Sequence, residues 1–256
     1  MFYVELLRVR NGLIVAVAGL IALVLVGWIG FAAACPECRR LNAADPATVL
    51  AVIGYSAAIL AAIFGSVFGA SLSIENDGHL PLTWTKPISR GAQAIGILTI
   101  DITAALAVFV LSCAAGWLFV SLVGERPLPV HASFDTVALL KLARFAAFPV
   151  AMFGLTQALT AGIKGSWQGA VTGPLWPVCQ GLFAIGLLPL TPPLHKLWQI
   201  VNIPNPIAYF PFWEFDEHIF HVYPFGYGVA IDALALAAIA FVGVTIATLR
   251  WRRLEA

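Results

Sequence analysis

The sequence predicts an all-α polytopic membrane protein with six transmembrane helices and with both termini in the cytoplasm. Of its 256 residues, 61% are hydrophobic and 11% are charged, whereas soluble domains contain about 25% charged residues. Long apolar segments recur along the chain, and none shows the period-two alternation of a barrel strand. The net charge of +1 is dispersed, which argues against a nucleic-acid partner, because phosphate binding needs clustered Lys and Arg.

Six segments are long enough to cross a bilayer, which takes roughly 20 apolar residues. They are residues 12–34, 46–72, 91–123, 136–161, 169–190 and 226–249. The first is longer than a signal-peptide core, so we predict that it is retained, with cleavage after its small-residue end as the alternative. In the second, Gly65 and Gly69 favour close packing against another helix.

Basic residues set the predicted orientation, because cytoplasmic loops contain an excess of Lys and Arg. With the N-terminus inside, the inner segments hold more basic than acidic residues and end in Arg250, Arg252 and Arg253, while the outer loops are slightly acidic. Residues 1–11 are then an amphipathic inner segment. The extracytoplasmic loop 191–225 is rich in Pro and aromatic residues, which predicts a re-entrant or interfacial hairpin before the sixth helix. It is either a lid that gates substrate exit or contacts a periplasmic or extracellular partner, or an interfacial belt without a gating role.

The loop 73–90 is a polar and amphipathic island between the second and third segments. Gly78 ends or bends the preceding helix, Trp84 offers an apolar contact, and Pro87 forces a break. Ser89 is predicted to cap the next helix, because its hydroxyl can accept a hydrogen bond from a free backbone N–H. The loop is therefore either a docking surface for a soluble partner or an ordinary connection between membrane helices.

This loop and the predicted topology resemble the permeases of ABC transporters of the ABC-2 type, a family of six-helix exporters. The resemblance rests on the residues from Glu75 to Arg90, on chain length and on the internal termini. It implies a single permease domain over residues 1–256 in the plasma (inner) membrane, paired with a second identical or different permease. It also implies a coupling helix that docks on a separate ATPase subunit, which binds ATP and Mg²⁺. The residues that it assigns to ATPase coupling are Glu75, Asp77, Gly78, Leu80, Trp84, Pro87, Ser89 and Arg90.

A nucleotide-binding motif is missing from the sequence itself. The phosphate-binding pattern Gly-x-x-x-x-Gly-Lys-Ser/Thr does not occur, and the nearest stretch, 162–166, lacks both its spacing and its lysine position. We therefore predict a transport subunit that is not itself an enzyme, that holds no cofactor of its own and that depends on a partner for ATP hydrolysis.

Ionisable residues inside the predicted spans are candidate functional residues, because charge is costly in lipid. Asp101 lies in the third span and Asp232 in the outer part of the sixth, while Lys141 and Arg144 share one face of the fourth. All four are candidates for lining a substrate pathway, and Asp101 and Asp232 would contact a cationic substrate. The alternative is a structural pair, in which an Asp meets a Lys or the backbone of a neighbouring helix.

Two further clusters leave other classes of function open. Cys35 and Cys38 follow the first span, where oxidising surroundings favour a local disulfide over redox catalysis or a shared metal site. Glu217, His218 and His221 offer donors that zinc accepts, but a fourth ligand is not identified, so no metal site is predicted. The alternatives are a membrane-embedded redox or metal-handling protein, and a membrane anchor without transport activity.

Overall fold

The computed structural model describes residues 46–68, 89–123, 136–161, 203–210 and 228–253, and the single residues 10, 14, 17, 18, 72, 163, 179 and 200. Over these residues it contains α-helices and one 3₁₀ turn, Pro206–Tyr209, and no strand. The helices are α1 Pro46–Phe68, α2 Arg90–Val123, α3 Thr136–Thr160 and α4 Val229–Arg253. The predicted all-α class is confirmed for this part of the chain.

The helix bounds follow the apolar segments closely. α2 and α3 match their predicted limits to within one residue at each end. At the start of α2, Ala92 N–H donates to the Ser89 hydroxyl at 3.3 Å, which confirms the predicted cap. α4 extends to Arg253, beyond the predicted end at residue 249. The helix continues past its apolar part, because the arginines of its last turn interact favourably with the negative end of the helix dipole.

Among the residues that the structure describes, three helical stretches are long and apolar enough to cross a membrane, namely Gly91–Ser121, Leu139–Thr160 and Val229–Arg253. α1 contributes a shorter apolar stretch, Ile53–Ser66. These stretches favour a location in a membrane. Of the two other predicted spans, 12–34 and 169–190, only a few single positions belong to the described residues, so both spans lie essentially outside them.

α1, α3 and α4 run in one direction, and α2 runs in the other. Gly116 near the end of α2 faces Ile53 near the start of α1, which makes these two helices antiparallel. Arg144 contacts Asp232 near the starts of α3 and α4, and Arg250 contacts Ala158 near their ends. α1 is parallel to α3, and the facing pairs are Gly54 with Phe145 and Gly65 with Phe153.

These directions give the bundle two distinct ends. One end, here the arginine end, contains the last turns of α1, α3 and α4 and the first turn of α2, with Arg250, Arg252 and Arg253. The opposite end, here the aromatic end, contains the cluster formed by Tyr55, Phe145, Phe148 and Phe210. The segment 69–89 thus begins and ends at the arginine end.

Packing between the helices depends on small residues. Ala57, Ala58, Ala61 and Ala62 form the buried face of α1. A methyl group added to Gly65 would lie 3.0 Å from the Pro149 carbonyl oxygen of α3. The close approach predicted for Gly65 is therefore present, and it stabilises the bundle by van der Waals contact, which drives helix association in lipid.

Several hydroxyl side chains on the described helices donate to a carbonyl of their own helix, four residues earlier. Thr156 Oγ1 donates to the Met152 carbonyl at 2.8 Å, and Thr160 Oγ1 donates to Thr156 in the same way. This local bond removes the cost of placing a hydroxyl donor in an apolar span. The other hydroxyls with this bond are Ser66, Thr99, Thr103, Thr245 and Thr248.

Candidate functional site

A buried ion pair joins α3 to α4 in the aromatic half of the bundle. Arg144 Nη1 donates to Asp232 Oδ2 at 3.1 Å, and the two side chains are only 3% and 10% exposed. Asp232 lies in the first turn of α4, where the helix dipole favours a negative charge. Each charge therefore offsets the desolvation of the other. The structure brings together two of the four ionisable residues that the sequence nominated.

Lys141 and Arg144 lie on the same helix but differ in burial. Arg144 is buried and turns towards α4, whereas Lys141 is exposed on the surface of α3. A long Lys side chain near a helix end can extend its ammonium group to the membrane surface. Lys141 therefore lies outside the described ion pair.

Asp101 occupies a different half of the bundle. It is fully buried on the face of α2 that also holds Leu98 and Ala105. With a rise of 1.5 Å per residue, Asp101 lies about 15 Å from Gly91 at the arginine end, while Asp232 is in the first turn of α4 at the aromatic end. One small cation therefore does not contact both carboxylates in this arrangement.

Buried uncharged polar residues also lie in the arginine half of the bundle, and the sequence patterns did not indicate them. Gln157 is fully buried on α3, on the same face as Thr156 and Thr160. Gln93 is buried in the first turns of α2. A Gln inside an apolar segment was the available signal, since a buried amide is costly unless it is hydrogen-bonded. These buried amide and hydroxyl side chains make the interior of the bundle polar in its arginine half.

The aromatic end is filled by part of the loop 191–225. Asn205 Oδ1 accepts from Ile207 N–H at 3.0 Å and so caps the 3₁₀ turn. The turn packs against α4 and α3. Phe210, which follows it, is 2% exposed and stacks on Phe148 with the ring centroids 4.0 Å apart. Residues 203–210 of this loop thus pack into the bundle, while the re-entrant or interfacial hairpin stays a prediction.

Phe210 is the centre of this aromatic cluster. Its ring also lies 5.2 Å from Tyr55 of α1 and 6.0 Å from Phe145 of α3, the second in an edge-on geometry. Aromatic pairs in such arrangements contribute about 0.5–1.5 kcal/mol each beyond area burial. The loop residue Phe210 therefore links two helices that are distant from it in sequence.

Replacing Phe210 with leucine is expected to lower the free energy of unfolding by about 1–2 kcal/mol, because the apolar side chain remains but three ring contacts are lost. Thermal unfolding of the purified chain in detergent measures this change. The matched control is Phe241→Leu, since Phe241 is 74% exposed on α4, and it should leave the stability within about 0.5 kcal/mol. Equal effects of the two substitutions would contradict the anchoring role of Phe210.

At the arginine end, the first turn of α2 contacts α4. A methyl group on Gly91 would lie 2.6 Å from Arg252 Nε, so the guanidinium group packs directly against the backbone of this glycine. One residue earlier in α4, Trp251 is buried and packs in a cluster with Leu98 and Leu72. Nearby, Arg250 Nη1 donates to the Ala158 carbonyl at 2.6 Å, near the end of α3. The last turns of α3 and α4 and the first turn of α2 therefore form one connected assembly.

Several nominated residues lie outside the described part of the chain. Among the coupling residues, Ser89 is exposed and caps α2, and Arg90 is the first residue of that helix. Within the described residues, no group of three metal-ligating side chains occurs. The remaining candidates, which fall outside those residues, are Glu75, Asp77, Gly78, Leu80, Trp84, Pro87, Cys35, Cys38, Glu217, His218 and His221.

Two glycines of the α3–α4 contact were not anticipated from the sequence. A methyl group on Gly154 would lie 2.8 Å from the Ala240 carbonyl oxygen, and one on Gly243 would overlap the Gly154 backbone. The two backbones therefore touch, which a glycine in each of two apolar helices permits. The available signal was the isolated glycine in each segment, although it does not say which helices meet.

Comparisons with known proteins leave the family of the chain open. No protein-family model, no curated protein and no solved structure matches the sequence.

Proposed function

We propose that this chain is the transmembrane permease subunit of an ATP-driven ABC exporter of the ABC-2 type, coupled to a separate ATPase through the loop 73–90. The observation that supports this proposal best is the arrangement of the arginine end. There the first turn of α2, which follows that loop, and the last turn of α3 both contact the last turn of α4. A force applied to the loop would therefore act on three helices at once.

The helix directions agree with the proposed six-span topology. α1 ends and α2 begins at the arginine end, whose basic residues favour the cytoplasmic side. α3 and α4 are parallel, so the chain between them has to return from one end of the bundle to the other. The apolar segment 169–190 is long enough for that crossing. Both termini are then cytoplasmic, and the loop 73–90 faces a soluble partner.

In this proposal, a partner protein supplies the energy for transport by hydrolysing ATP. The sequence has no phosphate-binding loop, so the partner ATPase binds ATP and Mg²⁺, and the permease itself is not an enzyme. A second permease copy, the same or different, completes the pathway across the plasma membrane. The apolar surfaces of α2 and α4, which include Val110, Leu118 and Phe241, suit either lipid or that second copy.

The proposal is tested by measuring the ATP hydrolysis that purifies with the chain. The tagged full-length protein is extracted in mild detergent from membranes of its own source cells, and hydrolysis of Mg²⁺–ATP is measured with and without vanadate. We expect vanadate-sensitive hydrolysis, and we expect Glu75→Arg and Arg90→Glu each to lower the hydrolysis that is recovered by about tenfold. This corresponds to about 1.4 kcal/mol of lost docking free energy.

The matched control is Arg126→Glu, a charge reversal in the segment that connects α2 to α3 at the aromatic end. It should leave the recovered hydrolysis unchanged. Recovery of the intact chain without ATP hydrolysis would contradict the proposal, and so would equal losses from the control and the loop variants. The redox alternative predicts instead that Cys35→Ser abolishes activity while ATPase binding is retained.

A further inference from the structure

The contact between α3 and α4 has three levels. At the aromatic end the helices are joined by the Arg144–Asp232 ion pair. In the middle, Gly154 and Gly243 bring the two backbones into contact. At the arginine end, Arg250 donates to a carbonyl of α3 at 2.6 Å. Along α3, the ion pair and the glycine contact are ten residues apart, which is about 15 Å.

The glycine contact is suited to act as a pivot. Because the backbones touch there, the helices cannot approach further at that level, and no side chain lies between them at the contact itself. A tilt of α4 about the contact separates the aromatic ends of the two helices, while the Arg250 bond to the Ala158 carbonyl keeps their arginine ends together. Because the ion pair lies about 15 Å from the contact, a small rotation is enough to separate its two charges.

The ion pair differs from an apolar contact in how it responds to water. A buried ion pair has about the same stability as a well-packed apolar pair, because the Coulomb attraction mainly offsets desolvation. Once separated, however, the two ions regain hydration, whereas separated apolar groups gain nothing. Asp232 lies in the first turn of α4, near the end of the bundle. Just before it, Gly228, with a φ of 103°, permits a sharp change of chain direction.

We propose that the Arg144–Asp232 pair is a latch, which holds the aromatic ends of α3 and α4 together and opens by rotation about the Gly154–Gly243 contact. In the closed state the pair is buried and the loop residue Phe210 fills the adjacent aromatic cluster. In the open state both charges are hydrated and the helix ends are apart. The purpose of the latch rests on the proposed transport function, but its opening is a property of this chain alone.

Amide hydrogen exchange of the full chain in lipid nanodiscs, followed by mass spectrometry, tests the latch. In Asp232→Asn, we expect exchange about tenfold faster at the aromatic ends, residues 139–146 and 229–236, and unchanged exchange at residues 153–160 and 245–252. In the double variant Arg144→Met with Asp232→Leu, we expect slower exchange than in the wild type at the aromatic ends. An apolar pair of similar volume keeps the closed contact but does not gain hydration on opening.

Three results would overturn the latch. The first is equal acceleration at both ends in Asp232→Asn, which makes the pair a general structural contact. The second is exchange unaffected by Asp232→Asn. The third is exchange in the apolar double variant at or above the wild-type rate. If Asp232→Asn does not fold, the double variant, which removes both charges of the pair, decides alone. The experiment requires no ATPase, so the latch and the proposed function can fail separately.

Discussion

Replacing Arg144 with alanine is expected to lower the free energy of unfolding by about 3–5 kcal/mol, because it leaves the buried carboxylate of Asp232 without its charged partner. Asp232 is 10% exposed, so water does not fully replace the guanidinium group. The measurement is thermal or denaturant-induced unfolding of the purified chain in mixed micelles. The control is Lys141→Ala, which removes a charge from the exposed surface of the same helix and should cost no more than about 0.5 kcal/mol.

Removing both charges of this ion pair is expected to restore the stability that the loss of one charge removes. When both charges are removed together, in Arg144→Met with Asp232→Leu, the stability should return to within about 1 kcal/mol of the wild type or exceed it. The difference between the single and double variants isolates the cost of an unpaired buried charge. If Arg144→Ala costs no more than Lys141→Ala, the ion pair is not buried in the folded protein and the latch has no basis.

Replacing Gly243 with valine is expected to have a comparable effect, at least about 3 kcal/mol, because its side chain would overlap the backbone of Gly154. The clash is with main-chain atoms, so a change of rotamer cannot relieve it and α3 and α4 have to separate. Unfolding in mixed micelles measures the loss. The control is Ala238→Val, which enlarges an exposed residue of the same helix and should change stability by about 0.5 kcal/mol or less.

A near-normal stability of Gly243→Val would contradict the backbone contact between α3 and α4. The smaller substitution Gly243→Ala distinguishes a tight contact from an absent one. Its single methyl group should already cost about 1–3 kcal/mol, and the cost should rise further with valine. Equal stability for the alanine and valine variants would argue against steric overlap as the cause.

Helix positions are the part of this fold that the sequence predicts well. A spanning helix must be apolar over about 20 residues, so the limits of α2 and α3 follow from hydropathy alone. The end of α4 could not be predicted from hydropathy, since Arg250, Arg252 and Arg253 continue the helix after its apolar part. Ser89 could be placed as a cap, because capping depends on neighbours within the same turn.

Contacts between helices could not be predicted in the same way. Arg144 and Asp232 are 88 residues apart, and their pairing requires that α3 and α4 be parallel neighbours. Hydropathy places each residue at a depth but does not say which helices touch. Their opposite charges were nevertheless a usable signal, since a charge inside a span favours a partner on a neighbouring helix. The anchoring of Phe210 depends on the conformation of a loop, which patterns of hydropathy and charge do not predict.

The central claim, that the loop 73–90 docks on an ATPase, is tested most directly by photo-crosslinking. A photoreactive amino acid replaces Trp84 in the full chain, which is irradiated in membranes of its source cells. The control position is Trp117, which is 39% exposed in the aromatic half of α2. We expect position 84, but not position 117, to crosslink to a protein that contains a phosphate-binding loop and hydrolyses ATP. No such crosslink from position 84, or the same product from both positions, would contradict the proposed coupling.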